Sequence, residues 1–285
     1  MLKTLHVSAG LFVSGLQEIW YKNKMQDGWI SLILFLFLTI NPNYMIAKMP
    51  LENFLVIDIE TVAAQQHYDL LTADWQHLWE EKVKRSMPED TSLDEYYPQR
   101  AGVMAEFAKV VCISLGYFKK ETGGYQFRVK SIFGHDEKEL LQNFITTINQ
   151  LEAVNNHWSF TGHNIKEFDI PFLCRRLLIN GLNIPPYLDF QNMKPWETNM
   201  VDTFQYWRFG DYKNYTSLKL LAASLNVPSP KDDIDGSMVG EVYWAENDLK
   251  RIAVYCQKDV VTVANILLRF KNLPLLSEGQ VVIAK

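Results

Sequence analysis

Three separated segments carry side chains able to hold a divalent cation and to direct a water molecule. In Phe54-Leu-Val-Ile-Asp-Ile-Glu-Thr61 the acids Asp58 and Glu60 close an apolar, β-branched run, the pattern of a buried strand. Strand side chains alternate between faces, so these two acids leave the same face of a sheet. Like charges forced together are costly unless they share a proton or a cation sits between them, which makes a metal site the natural physical account. On its own, D-x-E also describes a solvated strand end.

The second segment is Gly162-His-Asn-Ile-Lys-Glu-Phe-Asp-Ile-Pro-Phe-Leu173. A strand gives way here to a helix whose first turn is announced by Pro171, with Asp169 expected just outside it. Taken singly, Asp169 would only serve the positive end of the helix dipole. The third segment is Tyr255-Cys-Gln-Lys-Asp259, inside a helix predicted from about Asp248 to Phe270 with an apolar stripe through Leu249, Ile252, Ala253, Cys256, Val260, Val263 and Leu267. Residues four apart stack on one side of a helix, so Tyr255 and Asp259 can address one point together.

The elements that must position these groups follow from periodicity. Residues 53–59 predict the central strand. A polar stretch follows in which Trp75, Leu78, Trp79 and Val83 fall on one helical face. Strands are predicted at about 107–117 and 125–133, joined through Glu121-Thr-Gly-Gly124. A helix at about 136–151 turns Leu140, Leu141, Phe144, Ile145, Ile148 and Leu151 inward, and Trp158 to Thr161 reads as a short buried strand. This order predicts an α/β layer fold with a central mixed β-sheet flanked by helices.

Read together, D-x-E on a strand, then H-N-x-x-x-F-D, then Y-x-x-x-D on a late helix resemble the DEDD exonucleases. Thr216-Ser-Leu-Lys-Leu-Leu221 and Asp233-Ile-Asp-Gly-Ser237 make the closer resemblance one to bacterial standalone enzymes related to the proofreading domain of B-family polymerases. Val254 stands where the sister class carries a histidine, so the tyrosine (DEDDy) version is indicated. The resemblance implies a ribonuclease-H-like (DEDD exonuclease) fold and hydrolysis of nucleotides from 3′ ends. It implies that Asp58, Glu60, Asp169 and Asp259 hold two Mg²⁺ ions, with Mn²⁺ able to substitute, and that Tyr255 orients the attacking water. Hard carboxylate oxygens suit those ions. It also puts Thr61, Asn164 and Phe168 near the terminal nucleotide and Glu60 near its 3′-OH.

The expected partner is nucleic acid with a free 3′ end, single-stranded DNA first and RNA second, with no tightly bound organic cofactor. A catalytically silent nucleic-acid-binding domain is the competing class, disfavoured because clustered acids repel phosphate unless metal is bound. The net charge of −5 gives no global attraction to phosphate. Lys166, Arg175, Arg176, Arg208, Lys213 and Lys219 are candidates for a local basic rim. Trp207, Tyr212 and Tyr215 are candidates for base stacking, although aromatics near Phe204 and Tyr206 more often serve a core. His163 reads as structural. Asp232-Asp-Ile-Asp-Gly236 fails as a calcium loop, since Lys231 and Val242 occupy ligand positions, and Asp235-Gly-Ser237 reads as a turn and helix cap.

Cys112, Cys174 and Cys256 show no disulfide or zinc spacing and read as reduced thiols, in keeping with a cytoplasmic protein. Residues 1–48 are expected to be an extension ahead of an exonuclease domain at 49–285, with Met45 or Met49 as the start. The apolar run Trp29–Ile40 has 12 residues, short of the about 20 that a membrane span needs. It would fit a signal core, which keeps a membrane-anchored or exported nuclease as a lesser alternative.

Overall fold

The computed structural model describes residues 46–155, 157–191, 193–194, 197–228 and 234–284. The apolar run at 29–40 and the acids Asp232 and Asp233 lie outside these residues. Among the described residues no helix is long and apolar enough to cross a membrane.

The compact unit Ile46–Lys285 is built on a six-stranded sheet of order β5-β4-β1-β2-β3-β6. Its strands are β1 (Phe54–Ala63), β2 (Ala108–Glu121), β3 (Gly124–Phe133), β4 (Ser159–Gly162), β5 (Met200–Asp202) and β6 (Val281–Ile283). β2 runs antiparallel to both of its neighbours, β1 and β3, while β4 and β5 join β1's other edge in parallel, as β6 joins β3. The chain is thus α/β with a mixed sheet, as the element order predicts. Two strands, β5 and β6, are three residues long, too short to show a period of two.

The helices are α1 (Ala73–Val83), α2 (Leu93–Arg100), α3 (Glu137–Glu152), α4 (Asp169–Ile179), α5 (Thr203–Arg208), α6 (Leu218–Ser224), α7 (Val239–Trp244) and α8 (Leu249–Phe270). Alternation along β1 divides the core. Leu55, Ile57 and Ile59 pack with α3 and α4 through Leu140, Phe144, Phe172 and Leu173. Phe54 and Val56 pack on the opposite face with Val260, Val263, Ala264 and Leu267 of α8. Asp58 and Glu60 continue this second face, so the strand delivers two acids beneath a long apolar helix. Gly116 of β2 allows the close approach: a Cβ there would lie 2.7 Å from the Val260 side chain.

Two local expectations are corrected. On α1 only Trp79 and Val83 are buried, whereas Trp75 and Leu78 are 43% and 47% exposed. This helix packs at one end of the sheet into a small cluster with Tyr97 and Phe107, so its apolar face is only half covered. Asp169 is the first residue of α4, with Phe168 at the cap position.

Candidate active site

The site starts from strand geometry. Asp58 stands opposite Ser114 and Glu60 opposite Cys112 on β2, and the register shifts between Glu60 and Thr61. Bulges of this kind re-aim side chains next to functional sites. Here Val111 and Cys112 of β2 both reach the cluster that holds Ile252, Ala253 and Cys256 of α8.

Asp169 reaches β1 because β4 stops early. The parallel pairing ends at Val56 with Thr161, and β4 itself ends at Gly162. The amide of Ile59, between the two acids, donates to Asp169 Oδ1 over 3.2 Å. A carboxylate therefore replaces a strand carbonyl at a buried amide, which answers the requirement that such groups be paired. Gly162 is needed at this edge, because a Cβ would meet Ile57 O at 2.7 Å.

The fold brings the acids close enough to repel one another. Asp58 is pushed well above the usual carboxylate range by burial, then by Asp259 and Asp169. Glu60 is raised by burial, then by Asp58 and Asp259. Burial raises Asp169 to about 7, against hydrogen bonds from its own amide and that of Ile59. Tyr255 is also raised, first by burial and then by Asp259, to which its hydroxyl donates. It stays protonated. Hard carboxylates that repel one another, three of them stripped of water by burial, form a donor set that fits a divalent cation.

Cys256 is a participant that sequence spacing missed. Its Sγ lies with the Asp58 and Glu60 carboxylates in one group of potential ligand atoms, all within 4.8 Å of one another. It donates to Asp58 Oδ2 over 3.2 Å and to the Asp58 carbonyl over 3.4 Å. Burial, Cys112 and the acids hold the thiol protonated, so it acts toward Asp58 as a donor. The fully buried Cys112 is its hydrogen-bonded neighbour. The only signal in the sequence was the place of Cys256 on the helix stripe.

Asp202 is a second residue that spacing did not reveal. Its buried carboxylate caps α5 by accepting from the amides of Phe204 and Gln205, and it accepts from the amides of Asn164 and Lys166 as well. The loop between β4 and Asp169 is thereby held by one side chain. Asn164 has a left-handed backbone (φ 65°), and its Oδ1 is buried without a hydrogen-bond partner among the described residues. A desolvated oxygen in that condition is a candidate ligand contact. His163 bonds Thr203 Oγ1 and the Thr216 carbonyl, in keeping with a structural role.

Thr61 donates its hydroxyl to the Gly102 carbonyl over 2.6 Å, and Phe168 leans on Phe172 with ring centroids 5.3 Å apart. Both are thus engaged within the protein. The basic rim loses Arg176, which is buried and pairs with Glu137 while donating to the Ala105 carbonyl. A buried guanidinium with a full set of acceptors cannot meet phosphate. Arg208 pairs with Glu167 at 3.0 Å. Trp207 packs in a small core cluster, whereas Tyr212 and Tyr215 are 78% and 65% exposed. Asp235 forms a turn through Ser237, but Met238 is the cap of α7 and makes no side-chain bond there.

A family model described as "Predicted 3'-5' exonuclease related to the exonuclease domain of PolB" matches residues 103–278, more than half of the chain. That span contains Asn164, Asp169, Tyr255 and Asp259, while Asp58 and Glu60 precede it. No curated protein matches. Among solved structures, the family B DNA polymerase from the hyperthermophilic archaeon Pyrobaculum calidifontis aligns with 16% identity and a TM-score of 0.39. The alignment covers 80% of this chain and 27% of the polymerase.

Proposed function

The chain belongs to the family of predicted 3′-5′ exonucleases related to the exonuclease domain of PolB, and on that premise we propose that it hydrolyses single-stranded DNA from the 3′ end with divalent cations. The observation that carries this reading is the grouping of the Asp58 and Glu60 carboxylates on one face of β1, within 4.8 Å of each other and of the Cys256 thiol, with Asp169 held by the Ile59 amide between them and Asp259 acting electrostatically on both acids.

Asp58, Glu60, Asp169 and Asp259 would hold the cations. A divalent cation such as Mg²⁺ or Mn²⁺, when bound there, would supply water activation and neutralise charge on the phosphate and the leaving 3′ oxygen. The chain's own groups set the geometry. Asp169 is anchored by the Ile59 amide and Asp58 by Cys256, which holds their remaining oxygens in fixed directions. Tyr255, kept protonated, positions the water by hydrogen bonding and does not act as its base. Asn164 Oδ1, buried and without a partner among the described residues, would bond the terminal nucleotide. Attack at phosphorus breaks the bond to the 3′ oxygen, releasing a nucleoside 5′-monophosphate and a strand shortened by one residue.

The test is digestion of end-labelled single-stranded DNA, duplex DNA and RNA with Mg²⁺, Mn²⁺ or EDTA. Metal-dependent laddering from the 3′ end of single-stranded DNA is expected. Preference for RNA would make the protein an exoribonuclease, and absence of cleavage on every substrate would leave only the silent binding domain.

A further inference from the structure

Beside the acid pocket the chain exposes aromatic rings in an ordered arrangement. The Arg208 guanidinium lies 4.2 Å from the Phe204 ring centroid and 5.3 Å from that of Tyr212. Phe204 also meets Tyr215 in an edge-type contact, with centroids 5.0 Å apart. Phe204 is itself buried, and it contacts the His163 ring, which in turn binds the carbonyl of Thr216. Tyr212, Arg208, Phe204 and Tyr215 thus form a row of successive contacts anchored to the loop that carries His163 and Asn164 and leads into α4. Both tyrosines turn most of their surface to solvent.

Exposed aromatics joined to cations suit a strand of unpaired nucleotides, because bases offer π-faces for stacking and the backbone offers phosphates. Lys213, next to Tyr212 in the chain, is exposed. The acids nearby are already engaged: Glu167 pairs with Arg208, and Asp211 accepts from the Lys213 amide and the Asn214 side chain. The row also lies close to the chemistry, since Asp169 and Asp202 both act electrostatically on the Tyr215 hydroxyl. We propose that Tyr212 and Tyr215, flanking the Arg208–Phe204 pair, are a stacking platform for unpaired bases of the DNA strand whose 3′ end enters the acid pocket. This rests on the exonuclease reading and gives it a substrate form, a frayed or single-stranded end.

Phe209 supplies the internal control. It is 74% exposed but leans on Tyr206, with centroids 6.0 Å apart, and does not join the row.

The experiment measures fluorescence anisotropy of a labelled single-stranded oligothymidylate in EDTA, with the full chain and its Tyr212→Ala, Tyr215→Ala, Tyr215→Phe and Phe209→Ala variants. Each tyrosine-to-alanine change should weaken binding by about 10-fold, in the range that loss of one stacked base gives. Tyr215→Phe and Phe209→Ala should bind as the unaltered protein does. An abasic oligonucleotide of equal length should bind the unaltered protein more weakly and be indifferent to the tyrosine changes. Unchanged affinity in both alanine variants, or equal losses on the abasic strand, would overturn the platform. Hydrolysis of the p-nitrophenyl ester of thymidine 5′-monophosphate by the unaltered protein with Mg²⁺ reports on the exonuclease reading alone, since that ester carries no second base. Its failure would count against the chemistry, while the binding results would still decide the platform.

Discussion

The thiol of Cys256 on α8 donates to Oδ2 of Asp58 on β1 over 3.2 Å, joining two residues 198 positions apart at a carboxylate expected to hold metal. The same sulfur reaches the Asp58 carbonyl. The helix is thereby registered on the strand at the point where chemistry is expected.

Replacing Cys256 with Val keeps the volume and removes the donor, and should lower Mg²⁺ affinity or turnover by about 10-fold to 100-fold, as loss of a partner behind a metal ligand does. Cys256→Ser retains a donor and should lose less. Cleavage rates across a Mg²⁺ titration distinguish the two. Equal activity of the valine variant and the unaltered protein would remove Cys256 from the site.

Asp58→Asn and Asp259→Asn each delete a negative charge from the pocket, and should abolish cleavage while a 3′-ended oligonucleotide is still bound. Single-turnover rates at saturating Mg²⁺, paired with binding in EDTA, separate the two steps. Near-normal rates for Asp58→Asn would refute the assignment of this carboxylate to the metal.

Tyr255→Phe removes one hydroxyl and leaves the acids in place. A loss of about 10²-fold to 10³-fold in the chemical step is expected, comparable to deleting one preorganised hydrogen bond. The Mg²⁺ dependence should keep its midpoint. A shifted midpoint with an unchanged maximal rate would mean that Tyr255 supports metal binding and does not position water.

Metal removal should give the protein an unusual pH dependence. In the metal-free chain burial raises Asp169 to about 7, above the about 3.9 of an unfolded aspartate. Between those values the folded state holds the extra proton, so this stability is complete below about pH 4 and is lost as pH rises toward 7. Melting in EDTA should therefore fall across that window, Asp169→Asn should flatten the slope, and Mg²⁺ should restore stability at pH 7 and above. A profile in EDTA that does not respond to Asp169→Asn would contradict this.

The start of the compact unit yields the last expectation. Ile46 is 2% exposed, and Lys271 Nζ donates to the carbonyls of Ile46, Ala47 and Met49. A chain beginning at Ile46 keeps these contacts. One beginning at Met49 loses a buried isoleucine, about 1.5 to 3 kcal/mol, and should melt several degrees lower by calorimetry while remaining active. Identical melting of the two truncations would show that residues 46–48 contribute nothing.

What the sequence determined by itself was local. The alternation of Phe54 to Glu60 specified a strand with two acids on one face, and the stripe from Leu249 to Leu267 specified the helix that places Tyr255 and Asp259 together. The hairpin and α3 were equally legible, because each repeats a period of two or 3.6 within a single segment. The three-residue strands β5 and β6 were not, being too short to show a period. Tertiary structure decided the rest. Asp169 binds the Ile59 amide, 110 positions away, because β4 stops short of it. Cys256 serves Asp58 because α8 docks over that face, and Asp202 gathers four amides at the end of β5. Arg176, indistinguishable in sequence from a surface cation, is turned inward to Glu137. These contacts depend on strand register and helix docking, which are properties of the assembled core, and no spacing along the chain encodes them.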